Sequence, residues 1–142
     1  MKELKITNEL LEIQKIRAFL KENLKNTDLS AEEYFFVELS LLEMCINVMS
    51  YAYPEEKGDI SLKIWQKEKK VFFEIRDWGV PFNPKKSRAP NIEEIIRDGK
   101  KGGLGIFLSR TFMDGFTYKR ENGQNILTMY KKISDVKDSG SV

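Results

Sequence analysis

From Tyr34 to Tyr53 the chain is apolar at almost every position, and the few polar residues inside this run are not scattered. Ser40, Glu43, Asn47 and Ser50 follow one another at intervals of three, four and three residues. At helical pitch that spacing confines them to a sector of roughly 80°. A helix of this composition is largely buried, and a carboxylate and an amide buried on one face cost on the order of a few kcal/mol each unless something satisfies them. Two readings follow. The stripe is either the one solvated face of a buried helix, or the wall of a cavity. In the second reading Asn47 offers an amide oxygen to a hard cation such as Mg²⁺, and Glu43 acts as a general base one turn earlier.

The start of this helix is written in the sequence. Ser30 followed by Glu33 has the form of a capping box, and Pro54 sets the far limit, so the predicted helix runs from Ser30 to about Tyr53. Upstream, Lys2 to Ile6 suits a short edge strand, and Asn8 to Asn23 has the apolar spacing of an amphipathic helix. Downstream, Asp59 to Gln66 and Lys70 to Arg76 alternate as strands around a charged turn at Lys67 to Lys69. Residues 77–91 are rich in glycine and proline and read as a loop, with Ile92 to Arg97 as a brief helix and Ile106 to Met113 as another. Phe116 to Arg120 and Asn125 to Lys132 form a last hairpin, with Asn122-Gly123 in the turn. This order predicts an α+β fold: a two-layer sandwich with helices on one face of a mixed, mostly antiparallel sheet. Residues 1–133 make one domain and residues 134–142 a polar tail.

Two further signals involve glycine. Asp77-x-Gly79 stands where a strand ends, a position from which a fixed carboxylate projects into a pocket, although Asp, Gly and Pro also cluster in ordinary turns. Lys101-Gly102-Gly103-Leu104-Gly105-Ile106 leads into an apolar helical run. Backbone N–H groups in such a loop close on phosphate oxygens, aided by the positive end of the following helix. It is not a Walker loop, because no Gly-Lys-Ser/Thr sequence is present. Nor does Asp77-Trp78-Gly79 belong to a eukaryotic-type protein kinase, since the chain is short and contains no histidine for a His-Arg-Asp loop.

The 142 residues carry a net charge of +2, with acidic and basic side chains interspersed, which argues against nucleic acid as a partner. The absence of histidine excludes imidazole zinc sites, histidine-based triads and a phosphohistidine on this chain. One cysteine, Cys45, forms no internal disulfide, and no window approaches the ~20 apolar residues of a membrane span. A cytoplasmic location without membrane association is the expectation.

Taken in order, Glu43-x-x-x-Asn47, Asp77-x-Gly79 and Gly102-Gly103-Leu104-Gly105 resemble the three nucleotide-binding boxes of the GHKL superfamily of gyrases, heat-shock chaperones, histidine kinases and MutL proteins. Within it the chain is most similar to anti-sigma-factor serine kinases of the RsbW and SpoIIAB type, from Lys2 to Lys132. The resemblance implies the Bergerat fold and the cofactors ATP and Mg²⁺. It implies Glu43 as catalytic base, Asn47 as Mg²⁺ ligand and Asp77 as acceptor for the adenine amino group. Gly79 is implied to lie against the base, Gly102, Gly103 and Gly105 against the phosphates, and Thr128 near the adenine. Ser50, Tyr51, Phe82, Lys101, Leu104 and Ile106 complete the implied nucleotide site, and residues 85–101 its lid. Tyr51 stands where related chains often carry histidine, and its hydroxyl is a donor for a phosphate. The implied activity is phosphorylation of an anti-sigma-factor antagonist on serine or threonine by a homodimer that also binds a sigma factor. A nucleotide-gated binder without catalysis, and a histidine-kinase-like domain acting in trans, are the alternatives.

Overall fold

The computed structural model describes residues 1–54, 56–81 and 111–133. Five strands, β1 (Lys2–Thr7), β2 (Asp59–Lys67), β3 (Lys70–Asp77), β4 (Gly115–Glu121) and β5 (Gln124–Lys132), form one sheet in the order β1-β2-β3-β5-β4. Each neighbouring pair is antiparallel. Two helices, α1 (Ile13–Leu24) and α2 (Ala31–Tyr51), supply the second layer. The predicted α+β sandwich is therefore present. Among the described residues no helix is long and apolar enough to cross a membrane.

Side chains alternate across a strand, so register decides which residues meet the helices. Ile60 pairs with Asp77, Leu62 with Ile75 and Ile64 with Phe73. Phe73 in turn faces Met129, Ile75 faces Leu127, and Asp77 faces Asn125. The apolar members of this set join Ile16, Leu20 and Leu24 of α1 and Val37, Leu41, Met44, Cys45 and Val48 of α2 in one buried core. Full burial of each large aliphatic side chain contributes about 1.5–3 kcal/mol. The opposite face carries Trp65 stacked on Phe72, with Tyr130 beside it.

The capping box forms as predicted: Glu33 N–H donates to Ser30 Oγ at 3.0 Å, and Ser30 N–H donates to Glu33 Oε1 at 2.9 Å. At its other end α2 stops at Tyr51, two residues before the predicted limit. Upstream, the predicted helix from Asn8 begins only at Ile13, after a 3₁₀ turn over Leu10–Glu12. Glu12 accounts for this, because its carboxylate accepts from both the N–H and the hydroxyl of Thr7 and ties the turn back to β1. Leu10 and Leu11, part of the apolar spacing of the predicted helix, consequently stay exposed. Both hairpins use turns whose two central residues have positive φ: Glu68 and Lys69 at 51° and 64°, and Asn122 and Gly123 at 52° and 76°.

Candidate functional site

Asp77 is the last residue of β3 and is buried on the face shared with the helices. Gly79 N–H donates to its Oδ1 at 2.9 Å and Asn125 Nδ2 donates to the same oxygen at 2.8 Å, while among the described residues Oδ2 takes no hydrogen bond. Burial raises the pKa of this carboxyl above its ordinary value. The Asn125 amide, the Gly79 N–H and the Arg120 charge act in the opposite direction and offset part of the shift. A carboxylate with one oxygen satisfied and the other open is an acceptor prepared for an external N–H.

The turn that follows is fastened to the end of α2. Val80 N–H donates to Ala52 O at 2.9 Å, which satisfies a carbonyl that the helix leaves unpaired. Tyr53 adds a second tie: its hydroxyl donates to Asp59 O at 2.7 Å and accepts from Trp78 N–H at 2.8 Å. Gly79 is required by this packing. A Cβ there would lie 2.1 Å from Ala52 O, so only a residue without one lets the turn approach the helix. Besides the closeness to a base that the resemblance implies, Gly79 thus has a structural role against the α2 backbone.

Because the turn is docked on Ala52, the polar stripe of α2 runs away from Asp77. Asn47 precedes Ala52 by about 7.5 Å along the axis and Glu43 by about 13.5 Å, at 1.5 Å per residue. Ser40 and Asn47 are buried, Glu43 is half-buried, and Ser50 and Tyr51 are exposed. Burial along the stripe is thus graded, deepest at Ser40 and Asn47 and lost at Ser50. Asn47 directs its amide nitrogen toward Met44 Sδ at 4.0 Å. Ser40 Oγ is the buried side-chain polar atom without a hydrogen-bond partner among the described residues. Cys45 is not a candidate nucleophile, since burial pushes its thiol up to about 12.

Thr128 is placed elsewhere. It pairs with Glu74, one position out of phase with Asp77 and Asn125, and so belongs to the opposite face of the sheet. The β5 residue that reaches Asp77 is Asn125, which the sequence reading did not single out. Arg120 Nη1 donates to Gly79 O at 2.7 Å, and the Tyr118 hydroxyl donates to Asn125 Oδ1. Phe82, Lys101, Gly102, Gly103, Leu104, Gly105 and Ile106, the proposed lid at 85–101 and the predicted helix at 92–97 lie outside the described residues, as does the predicted helix from Ile106 up to Arg110.

No group of three or more His, Cys, Asp or Glu side chains able to hold a metal exists among the described residues. The donor chemistry available is a buried amide, Asn47, with a carboxylate one turn away. That set suits Mg²⁺, which keeps several waters and takes phosphate oxygens beside one or two protein oxygens, rather than a cation needing an all-protein cage.

With a long helix docked by its C-terminal end on an Asp-x-Gly turn over an antiparallel sheet, the chain belongs to the histidine kinase-like ATPase domain family, whose profile matches residues 6–131. Its similarity extends to particular proteins. Serine/threonine-protein kinase BtrW of Bordetella bronchiseptica is 32% identical over 101 residues, covering 70% of this chain and 71% of that protein. Serine-protein kinase RsbW of Bacillus thuringiensis is 27% identical over 110 residues, covering 74% of this chain and 69% of its own length. Histidine kinase AdeS of Acinetobacter baumannii shares the fold at a TM-score of 0.51 and 10% identity, over 94% of this chain and 70% of that one.

Proposed function

We propose that the chain is an ATP-dependent protein serine/threonine kinase that also acts as an anti-sigma factor. The observation that carries the reading is Asp77, held at a strand end with Oδ1 doubly bonded and Oδ2 open. Oδ2 accepts the exocyclic amine of adenine. From there the nucleotide extends along α2 toward Asn47 and Glu43, and the glycine-rich stretch Gly102 to Gly105 supplies backbone N–H groups to the phosphates. Asn47 would hold Mg²⁺ through its amide oxygen, and the ion would supply neutralisation of phosphate charge.

In the transfer step a serine or threonine hydroxyl of a docked partner attacks the γ-phosphorus. The new O–P bond forms as the bond to the β-phosphate oxygen breaks, and Glu43 accepts the hydroxyl proton. Catalysis on this reading is chiefly positioning and electrostatic stabilisation. The similarity to the protein kinases RsbW and BtrW supports phosphate transfer to a protein hydroxyl; on the resemblance of the three nucleotide-binding boxes, the phosphoacceptor is an anti-sigma-factor antagonist, the second partner a sigma factor, and the kinase a cytoplasmic homodimer.

The test uses γ-labelled Mg-ATP with partner proteins captured from the source cell. Acid-stable label on a partner supports the kinase, and E43A abolishes it while leaving ATP affinity within a few fold. An ATP-dependent complex that never acquires label replaces the kinase with a nucleotide-gated binder. Acid-labile label replaces it with a histidine-kinase-like domain working in trans.

A further inference from the structure

Asn125 has a hydrogen-bond pattern that leaves its amide only one orientation. One amide hydrogen goes to Asp77 Oδ1 and the other to Val80 O, each at 2.8 Å. Its oxygen receives the Tyr118 hydroxyl. Reversing the amide would set its oxygen against two acceptors, Asp77 Oδ1 and Val80 O, so the flip is fixed by chemistry. The register supports the same arrangement, since Asn125 lies directly across from Asp77 and Arg120 of β4 directly across from Asn125. Arg120 closes the group by holding Gly79 O.

A buried carboxyl without such donors tends to take up a proton. A protonated Asp77 could present an O–H at Oδ2, which repels an amine and welcomes a carbonyl. With Asn125 donating into Oδ1, the ionised form is favoured and the remaining oxygen is held as a pure acceptor.

We propose that Asn125, oriented by Tyr118, is the positioning residue that sets the base specificity of this site, making Asp77 select a purine with an amino group at position 6 over one with a carbonyl there. The proposal rests on the reading of Asp77 as the base acceptor.

The experiment compares calorimetric affinities for Mg-ATP and Mg-ITP, nucleotides that differ in that substituent. Wild-type protein prefers ATP by tenfold or more, in line with one hydrogen bond to an ionised acceptor. N125L, branched alike at Cγ but without a polar atom, loses about tenfold of that preference, mainly through weaker ATP binding. Y118F, which frees the amide but keeps it, loses about threefold. A role confined to holding the fold would weaken both nucleotides alike and leave the ratio unchanged.

Wild-type protein that binds neither nucleotide, or both equally, overturns the reading of Asp77 and this proposal with it. A wild-type preference for ATP that N125L retains overturns the role of Asn125 alone. Should N125L fail to fold, Y118F decides, and an unchanged ratio in that variant overturns the proposal.

Discussion

D77N separates what Asp77 does for binding from what it costs the fold. The substitution is isosteric, and the asparagine oxygen can accept the two hydrogen bonds that Oδ1 takes from Gly79 N–H and Asn125 Nδ2. The other end changes from an acceptor to an NH₂ donor, which faces the adenine amine with like polarity. Losing a hydrogen bond to an ionised acceptor costs about 1.5–3 kcal/mol, roughly a 10- to 150-fold weaker Kd for Mg-ATP. Stability moves in the other direction. Burial raises the folded pKa of Asp77 above its unfolded value, so between the two pKa values the folded state binds more protons. Stability then falls as pH rises through that window, and the penalty is fully present above the folded pKa. Asparagine carries no such penalty, so D77N melts at or above the wild-type temperature, with a larger advantage at pH 8 than at pH 4. Calorimetry with Mg-ATP and thermal melts at the two pH values read both effects. An ATP affinity within threefold of wild type refutes the binding argument, and a lower melting temperature at pH 8 refutes the electrostatic one.

Three further substitutions test the supports of the site. G79A forces a Cβ to within 2.1 Å of the Ala52 carbonyl oxygen, so it costs about 1–3 kcal/mol and weakens ATP binding by displacing Asp77; a chemical denaturation midpoint equal to wild type contradicts this. The turn at Glu68 and Lys69 holds two non-glycine residues at positive φ, and the double change to Asn-Gly should stabilise by about 1 kcal/mol, raising Tm by roughly 3 °C. Because that turn lies at the end of β3 remote from Asp77, ATP affinity stays unchanged. S40A removes a buried hydroxyl without a partner, so stability is equal or higher by up to about 1 kcal/mol, and a clear loss in a urea melt shows that the hydroxyl is satisfied.

Local chemistry explains how much of this was legible beforehand. The capping box at Ser30, the Asn122-Gly123 turn and the alternation in β2 and β3 each depend on neighbouring residues, and each appeared where the sequence placed it. Two features the sequence did not show are non-local. Whether Thr128 or Asn125 faces Asp77 depends on register between β3 and β5, strands separated by a long stretch of chain. Consecutive apolar residues at Ile126 and Leu127 hide which face of β5 is the core face. Gly79 likewise gave a visible glycine signal but no hint that its neighbour would be the carbonyl of Ala52, a contact made only when the turn docks on α2. The early break before α1 could have been read from Glu12, whose side chain competes for the local N–H and hydroxyl of Thr7.

Backbone amide shifts of ¹⁵N-labelled protein during titration with Mg-ATP report directly where the nucleotide sits. Shifts that saturate and concentrate at residues 43–52, 77–80 and 124–126 are the predicted result. Saturating shifts confined to the opposite face, around Trp65, Phe72, Thr128 and Tyr130, or none at millimolar nucleotide, contradict a pocket built on Asp77 and α2.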